Sequence, residues 1–132
     1  MGKFTGVEDD IFSIFASDAW TANGIETVPS NFTANSSEFV RISVLANGSG
    51  VNHKSLSGIL IADIFTAAGE GPRRASLIAD MLDLVLDCKS VSTSLNAVTQ
   101  FESSALQHNG LDRDNPALTR STFSIPFNYF GV

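Results

Sequence analysis

Residues 55 to 88, SLSGILIADIFTAAGEGPRRASLIADMLDLVLDC, join an apolar strand, a Gly-Pro turn and an amphipathic helix without a gap. From Leu56 to Phe65 both side-chain parities are apolar, Leu60 and Ile64 on one, Ile59, Ile61 and Phe65 on the other. That pattern predicts a strand covered on both faces. Asp63 alone interrupts it. Gly69 and Gly71 open backbone angles closed to other residues, and Pro72 suits the first position of a helix. Leu77, Ile78, Met81, Leu82 and Val85 then recur at helical spacing, with Asp80, Asp83 and Asp87 largely opposite. This helix is expected to lie on the sheet. Cys88, seven residues after Met81, falls near the apolar stripe, which predicts a buried thiol.

A chain of 132 residues fits one domain, 1-132, and folding should bury roughly two-thirds of the surface its unfolded form exposes. With a single cysteine no internal disulfide forms, and the apolar runs fall well short of the ~20 residues of a membrane helix. The front of the chain lacks the basic and apolar segments of a secretory signal, so a soluble protein that stays in the cytoplasm where it is made is expected, without a membrane partner. The sequons at Asn31, Asn35 and Asn47 then read as loop residues rather than glycosylation sites. A net charge of −6 with eight basic residues argues against broad nucleic-acid binding. The acidity gathers at the front, where Lys3 stands against Glu8, Asp9, Asp10, Asp18, Glu26 and Glu38. This reads either as a solvated face or as an acidic surface past which DNA slides without sticking.

Thr5 and Glu8 have the spacing of a capping box, and Val7, Ile11, Ile14 and Phe15 follow as an apolar stripe. A first helix is expected near residues 6 to 20. Residues 21 to 37 read as a long surface connection containing Pro29. EFVRISVLA at 38 to 46 alternates as a half-buried strand, with Val40, Ile42 and Val44 inward and Arg41 outward. NGSGVNHK at 47 to 54 reads as a long, mobile hairpin loop suited to binding. A weaker strand signal covers 97 to 107, and 108 to 116 reads as turn. In the last strand Phe123, Ile125, Phe127 and Tyr129 alternate with polar residues, and Pro126 suggests an edge or a bulge. The order helix, strand, strand, helix, strand, strand predicts an α+β domain, helices packed on a largely antiparallel or mixed sheet.

Chemistry is sparse. Gly69-Glu70-Gly71 with Arg73 and Arg74 superficially resembles a phosphate cradle, yet a Walker loop needs Gly-Lys-Ser/Thr, a dinucleotide loop needs a third glycine, and Pro72 removes a donor. The turn therefore reads as structural. His53 and His108, both in expected loops, are not spaced from Cys88 or a carboxylate as metal ligands, and no nucleophile elbow occurs. No enzyme activity, catalytic residue, cofactor or metal is expected. Asp63 is the exception to this blandness, because an acid in a covered strand needs a hydrogen-bond partner or a cation. Its partner is either a salt bridge inside the fold or Arg41, Arg73 or Arg74 of an adjacent subunit.

Three blocks, FVRISVLANGSG at 39 to 50, LSGILIADIFTAAGEGPRRASLIADMLD at 56 to 83 and TRSTFSIPFNYFGV at 119 to 132, resemble the tail terminator proteins of long-tailed bacteriophages. Trp20, Pro29 and Asn31 also fit, so the resemblance covers nearly the whole chain. It implies a small mixed α/β subunit of the virion, in the neck region of the tail. A homohexameric ring would cap the head-proximal end of the tail tube, stop its polymerisation and offer a surface to the head-completion or connector protein. DNA would pass through the lumen without specific binding. The family has no catalytic residue or cofactor to carry over. By position, Asp63, Arg73, Arg74 and Arg41 would lie between subunits, Asn47, Gly48, Asn52, His53 and Lys54 would face tube or connector, and Glu8, Asp9 and Asp10 would face the lumen.

Two other readings compete. Another phage neck or tail component, a head-completion protein or a tube subunit, would share many features, but a tube subunit should polymerise where a terminator stops at rings. A small anion-binding domain would use the turn from Gly69 to Arg74.

Overall fold

The computed structural model describes residues 2–29, 38–69, 72–94, 96–113 and 115–131. Within them the chain runs α1 (Lys3–Phe15), α2 (Asp18–Thr21), β1 (Glu26–Pro29), β2 (Phe39–Ser49), β3 (Leu56–Ala67), α3 (Pro72–Leu86), β4 (Ser90–Ser94), β5 (Ala97–Phe101), β6 (Ala105–Leu111) and β7 (Leu118–Gly131). The sheet order is β1-β2-β3-β7-β5-β4, with β6 also paired to β7. β1 runs parallel to β2 and every other pair is antiparallel, so the fold is α+β on a mixed sheet.

The period-two pattern explains which side chains meet. Val40, Ile42, Leu60, Ala62, Ile64, Phe123, Ile125 and Phe127 project to one face, and Val7, Ile11, Trp20, Ile78, Leu82 and Leu86 of the helices pack on them in a single core. Each fully buried Leu, Ile or Phe contributes about 1.5–3 kcal/mol relative to exposure, so this layer dominates stability. All the buried hydrophobic side chains of the helices join that one core. Among the described residues the opposite sheet face holds a small strand-borne cluster of Val28, Phe39, Phe65 and Leu118.

The second face of β3 is consequently covered at one end only: Phe65 and Asp63 are buried, but Ile59 is 40% exposed. Among the described residues the expected coverage on both faces is met only in part, because the buried apolar side chains of every helix join the core on the other side. α3 keeps its expected start at Pro72, and Gly69 takes the positive φ of 94° that the turn requires. Its buried stripe is Ala75, Ile78, Ala79, Leu82 and Leu86, while Leu77 lies outside it. Cys88 is exposed rather than buried. It stands two positions past Leu86, the last helical residue, at a left-handed φ of 53°, beyond the end of the apolar stripe.

Other departures have similar causes. α1 starts at Lys3 behind Gly2 with no side-chain cap, so Thr5 and Glu8 sit exposed inside the helix rather than in a capping box. The helix breaks after Phe15, and Trp20 in the short α2 packs edge-on against Phe15 while its Nε1 donates to Thr27 Oγ1 at 2.8 Å. Residues 26 to 29, expected as surface connection, pair with β2, and such a short segment carries no periodicity of its own. Residues 30–37, with Asn31 and Asn35, lie outside the described residues. The region from 90 to 111 holds three strands because β7 is long enough to pair β5 with its C-terminal half and β6 with its N-terminal half. His108 therefore lies in a strand, not a turn. Pro126 sits where β5 gives way to β6, and Glu102 N–H donates to its carbonyl at 2.9 Å. The missing proline N–H thus falls in a gap of the ladder, as its chemistry requires.

Candidate assembly surface

The sheet face that no helix among the described residues covers is built in cross-strand rows. Phe39 pairs with Phe65 and Phe65 with Arg120; the next row is Arg41, Asp63 and Thr122; then Ser43, Ile61 and Ser124; then Leu45, Ile59 and Pro126. Polarity falls from the second row to the last. Asp63 Oδ1 accepts from Arg120 Nε at 3.2 Å and Thr122 Oγ1 at 3.1 Å, and Arg120 Nη2 stands 3.1 Å away. Its partner is therefore Arg120 of its own chain. Of the two expected alternatives this is the salt bridge inside the fold, formed because β7 neighbours β3 and brings a residue 57 positions distant to one diagonal step.

Arg41 faces Asp63 across the ladder but spreads its guanidinium over the rings of Phe39 and Phe65, at 5.5 and 5.3 Å from their centroids. These rings stack at 4.5 Å. Buried Arg41 Nε finds no acceptor among the described residues. Arg74 makes a two-point ion pair with Glu38, at 2.8 and 2.6 Å, and that hydrogen-bonded pair holds the Glu38 carboxyl below its usual pKa against the opposing effect of burial. It fastens the first turn of α3 to the start of β2. Arg73 remains exposed, so the four expected interface residues do not converge on one spot. The proposed phosphate turn includes residues 70 and 71, which lie outside the described residues.

The expected 47 to 54 loop is shorter and more ordered than its sequence suggests. Asn47 and Gly48 belong to β2, and Gly48 pairs with Ser57. In the remaining turn Asn52 Oδ1 accepts from Lys54 N–H at 2.8 Å and Ser55 Oγ at 3.1 Å, while Ser55 Oγ accepts from Gly131 N–H at 3.0 Å. Asn52 Nδ2 also donates to Gly131 O at 3.3 Å. This network pins the loop to the end of β7 and leaves Val51, His53 and Lys54 outside, with Val51 78% exposed.

Of the expected lumen-facing acids, Glu8 and Asp9 are exposed but Asp10 is 1% exposed. Asp10 turns inward because its carboxylate is held by Thr93 N–H (2.9 Å), Thr93 Oγ1 (2.7 Å) and Thr99 Oγ1 (2.6 Å). Burial, with the nearby charges of Asp10 and Asp9, raises the pKa of the Tyr129 hydroxyl.

Two surface grooves flank Leu84 of α3. One, about 460 Å³, is lined by Asp80, Asp83, Asp87 and Lys89; the other, about 470 Å³, lies between α1, α3 and β4 and is lined by Ile14, Ala19, Val85 and Val91 among others. Sequence reasoning missed these features and Arg120. The available signal was the spacing of Leu77 and Leu84 off the buried stripe. Among the described residues no group of three or more His, Cys, Asp or Glu is placed to hold a metal, and no helix is long and apolar enough to cross a membrane.

No family model matches this sequence, and no curated protein does. A solved structure that carries no functional name is similar to the chain with a TM-score of 0.64, at 14% identity, over 97% of this chain and 93% of its own. At that identity the likeness concerns the fold alone.

Proposed function

We propose that this chain is a structural tail protein of a long-tailed bacteriophage, a terminator whose closed ring caps the head-proximal end of the tail tube. The supporting observation is where the three resembling blocks fall. They are β2, β3 with α3, and β7, and these form one contiguous unit: three neighbouring strands with the helix packed across them. The exposed Leu45 and Ile59 on the sheet face opposite the helices suit a subunit that buries surface in an assembly. A heterologous contact repeated around an axis closes a ring and leaves two unlike ends, as a cap between tube and connector requires.

Native mass spectrometry of the purified chain, followed by electron microscopy of mixtures with tube protein, tests this reading. A discrete ring and tubes of limited length are expected. Long homopolymeric tubes would point instead to a tube subunit, and a monomer at every concentration would overturn the proposal.

A further inference from the structure

Val51 and Leu84 are the two most exposed large apolar side chains among the described residues, at 78% and 77%. They sit on different parts of the molecule. Val51 caps the pinned loop between β2 and β3, three positions before exposed Lys54. Leu84 forms the ridge between an apolar groove and an acidic one. In the acidic groove Asp80, Asp83 and Asp87 outweigh Lys89, and Ser104 fixes two of the acids, donating from its hydroxyl to Asp83 and from its N–H to Asp87 at 3.3 Å.

We infer that the Val51–Lys54 loop of one copy docks on the Leu84 ridge of the next, Val51 entering the apolar groove and Lys54 facing the acids. The two surfaces are complementary in polarity and net charge: an exposed apolar residue with a cation three positions on meets a mainly apolar groove, whose lining includes Lys89, with three carboxylates in the groove beside it. A chain cannot fill its own groove. The loop is tied to Gly131, next to Tyr129, which lies under Gly6 near the start of α1, whereas the groove lies by Ser13 and Ser17 at its far end. That separation is on the order of 10–15 Å along the helix. Knob and hole are different surfaces, so the contact is heterologous and propagates from copy to copy. The inference rests on the ring reading and names the contact that would close it.

The exposed Cys88 beside the acidic groove makes the test direct. Val51→Cys treated with a short bis-maleimide should give a ladder of covalent species beyond the dimer, because each copy then carries a thiol on the knob and one at the hole. Adding Cys88→Ser removes the thiol at the hole and should abolish the cross-link. Lys54→Glu and Asp80→Lys should each raise the dissociation constant of the assembly about tenfold, and the double variant should restore it. Wild-type rings that persist unchanged in Val51→Asp and Lys54→Glu, with no ladder from Val51→Cys, would overturn this contact and leave the ring reading standing. A monomeric wild type would overturn both.

Discussion

Asp10 and Thr99, 89 positions apart in the chain, meet at 2.6 Å in the interior, where the Thr99 hydroxyl donates to a carboxylate that Thr93 also grips twice. The link ties α1 to the hairpin of β4 and β5 and turns an acid of the N-terminal cluster into a structural residue.

Asp10→Ala should therefore destabilise the fold by about 2–4 kcal/mol, since it strands the Thr93 N–H and the fully buried Thr99 hydroxyl. Urea unfolding measures this. A midpoint unchanged from wild type would show that the carboxylate holds nothing.

Asp63 and Arg120 form a pair within one chain, so charge reversal at either should act on folding before assembly. Asp63→Arg is expected to cost about 1–3 kcal/mol by placing a third cation beside Arg41 and Arg120. Asp63→Arg with Arg120→Asp should recover part of the loss. Full thermal stability of the single variant together with a lost oligomer would mean that the residue works between subunits instead.

Gly6 has no room for a side chain, because a Cβ there would run into the Tyr129 hydroxyl. Gly6→Ala should cost about 1–3 kcal/mol through this overlap, and Tyr129→Phe should relieve part of it. Thermal unfolding of the two single variants and the double variant reads the coupling; strict additivity would contradict the contact.

The Glu38–Arg74 pair makes a pH-dependent contribution whose sign follows from the lowered Glu38 pKa. The carboxyl of the unfolded chain titrates near 4.5, above its value in the fold, so the contribution is fully present above that pH and is lost as pH falls through the folded value. Both side chains are about one-third exposed, which limits the pair to about 1 kcal/mol or less. Arg74→Gln should flatten the stability profile below pH 4.5 and leave its shape at pH 6 to 8 unchanged.

Strong local periodicity was legible throughout. β2, β3, α3 and β7 all stand where alternation or helical spacing placed them, because burial of one face imposes that spacing on the chain. The short β1 and β4 escaped notice, since four or five residues paired at an edge need no period of their own. The candidate site was harder to read. Arg120 and Asp63, or Asp10 and Thr99, are joined only by strand order, and Leu84 becomes a ridge only when β4 and α1 close the groove beside it.

The residues by themselves determined an α+β domain with an apolar central strand, a Pro-started helix and an acid in need of a partner. The tertiary structure decided which acid is buried, which cation pairs with Asp63 and on which face of the sheet the helices pack. Local spacing specifies which side of an element is apolar; what lies against that side depends on strands paired across large separations in sequence, and hydrogen bonds and charges take their partners from that pairing.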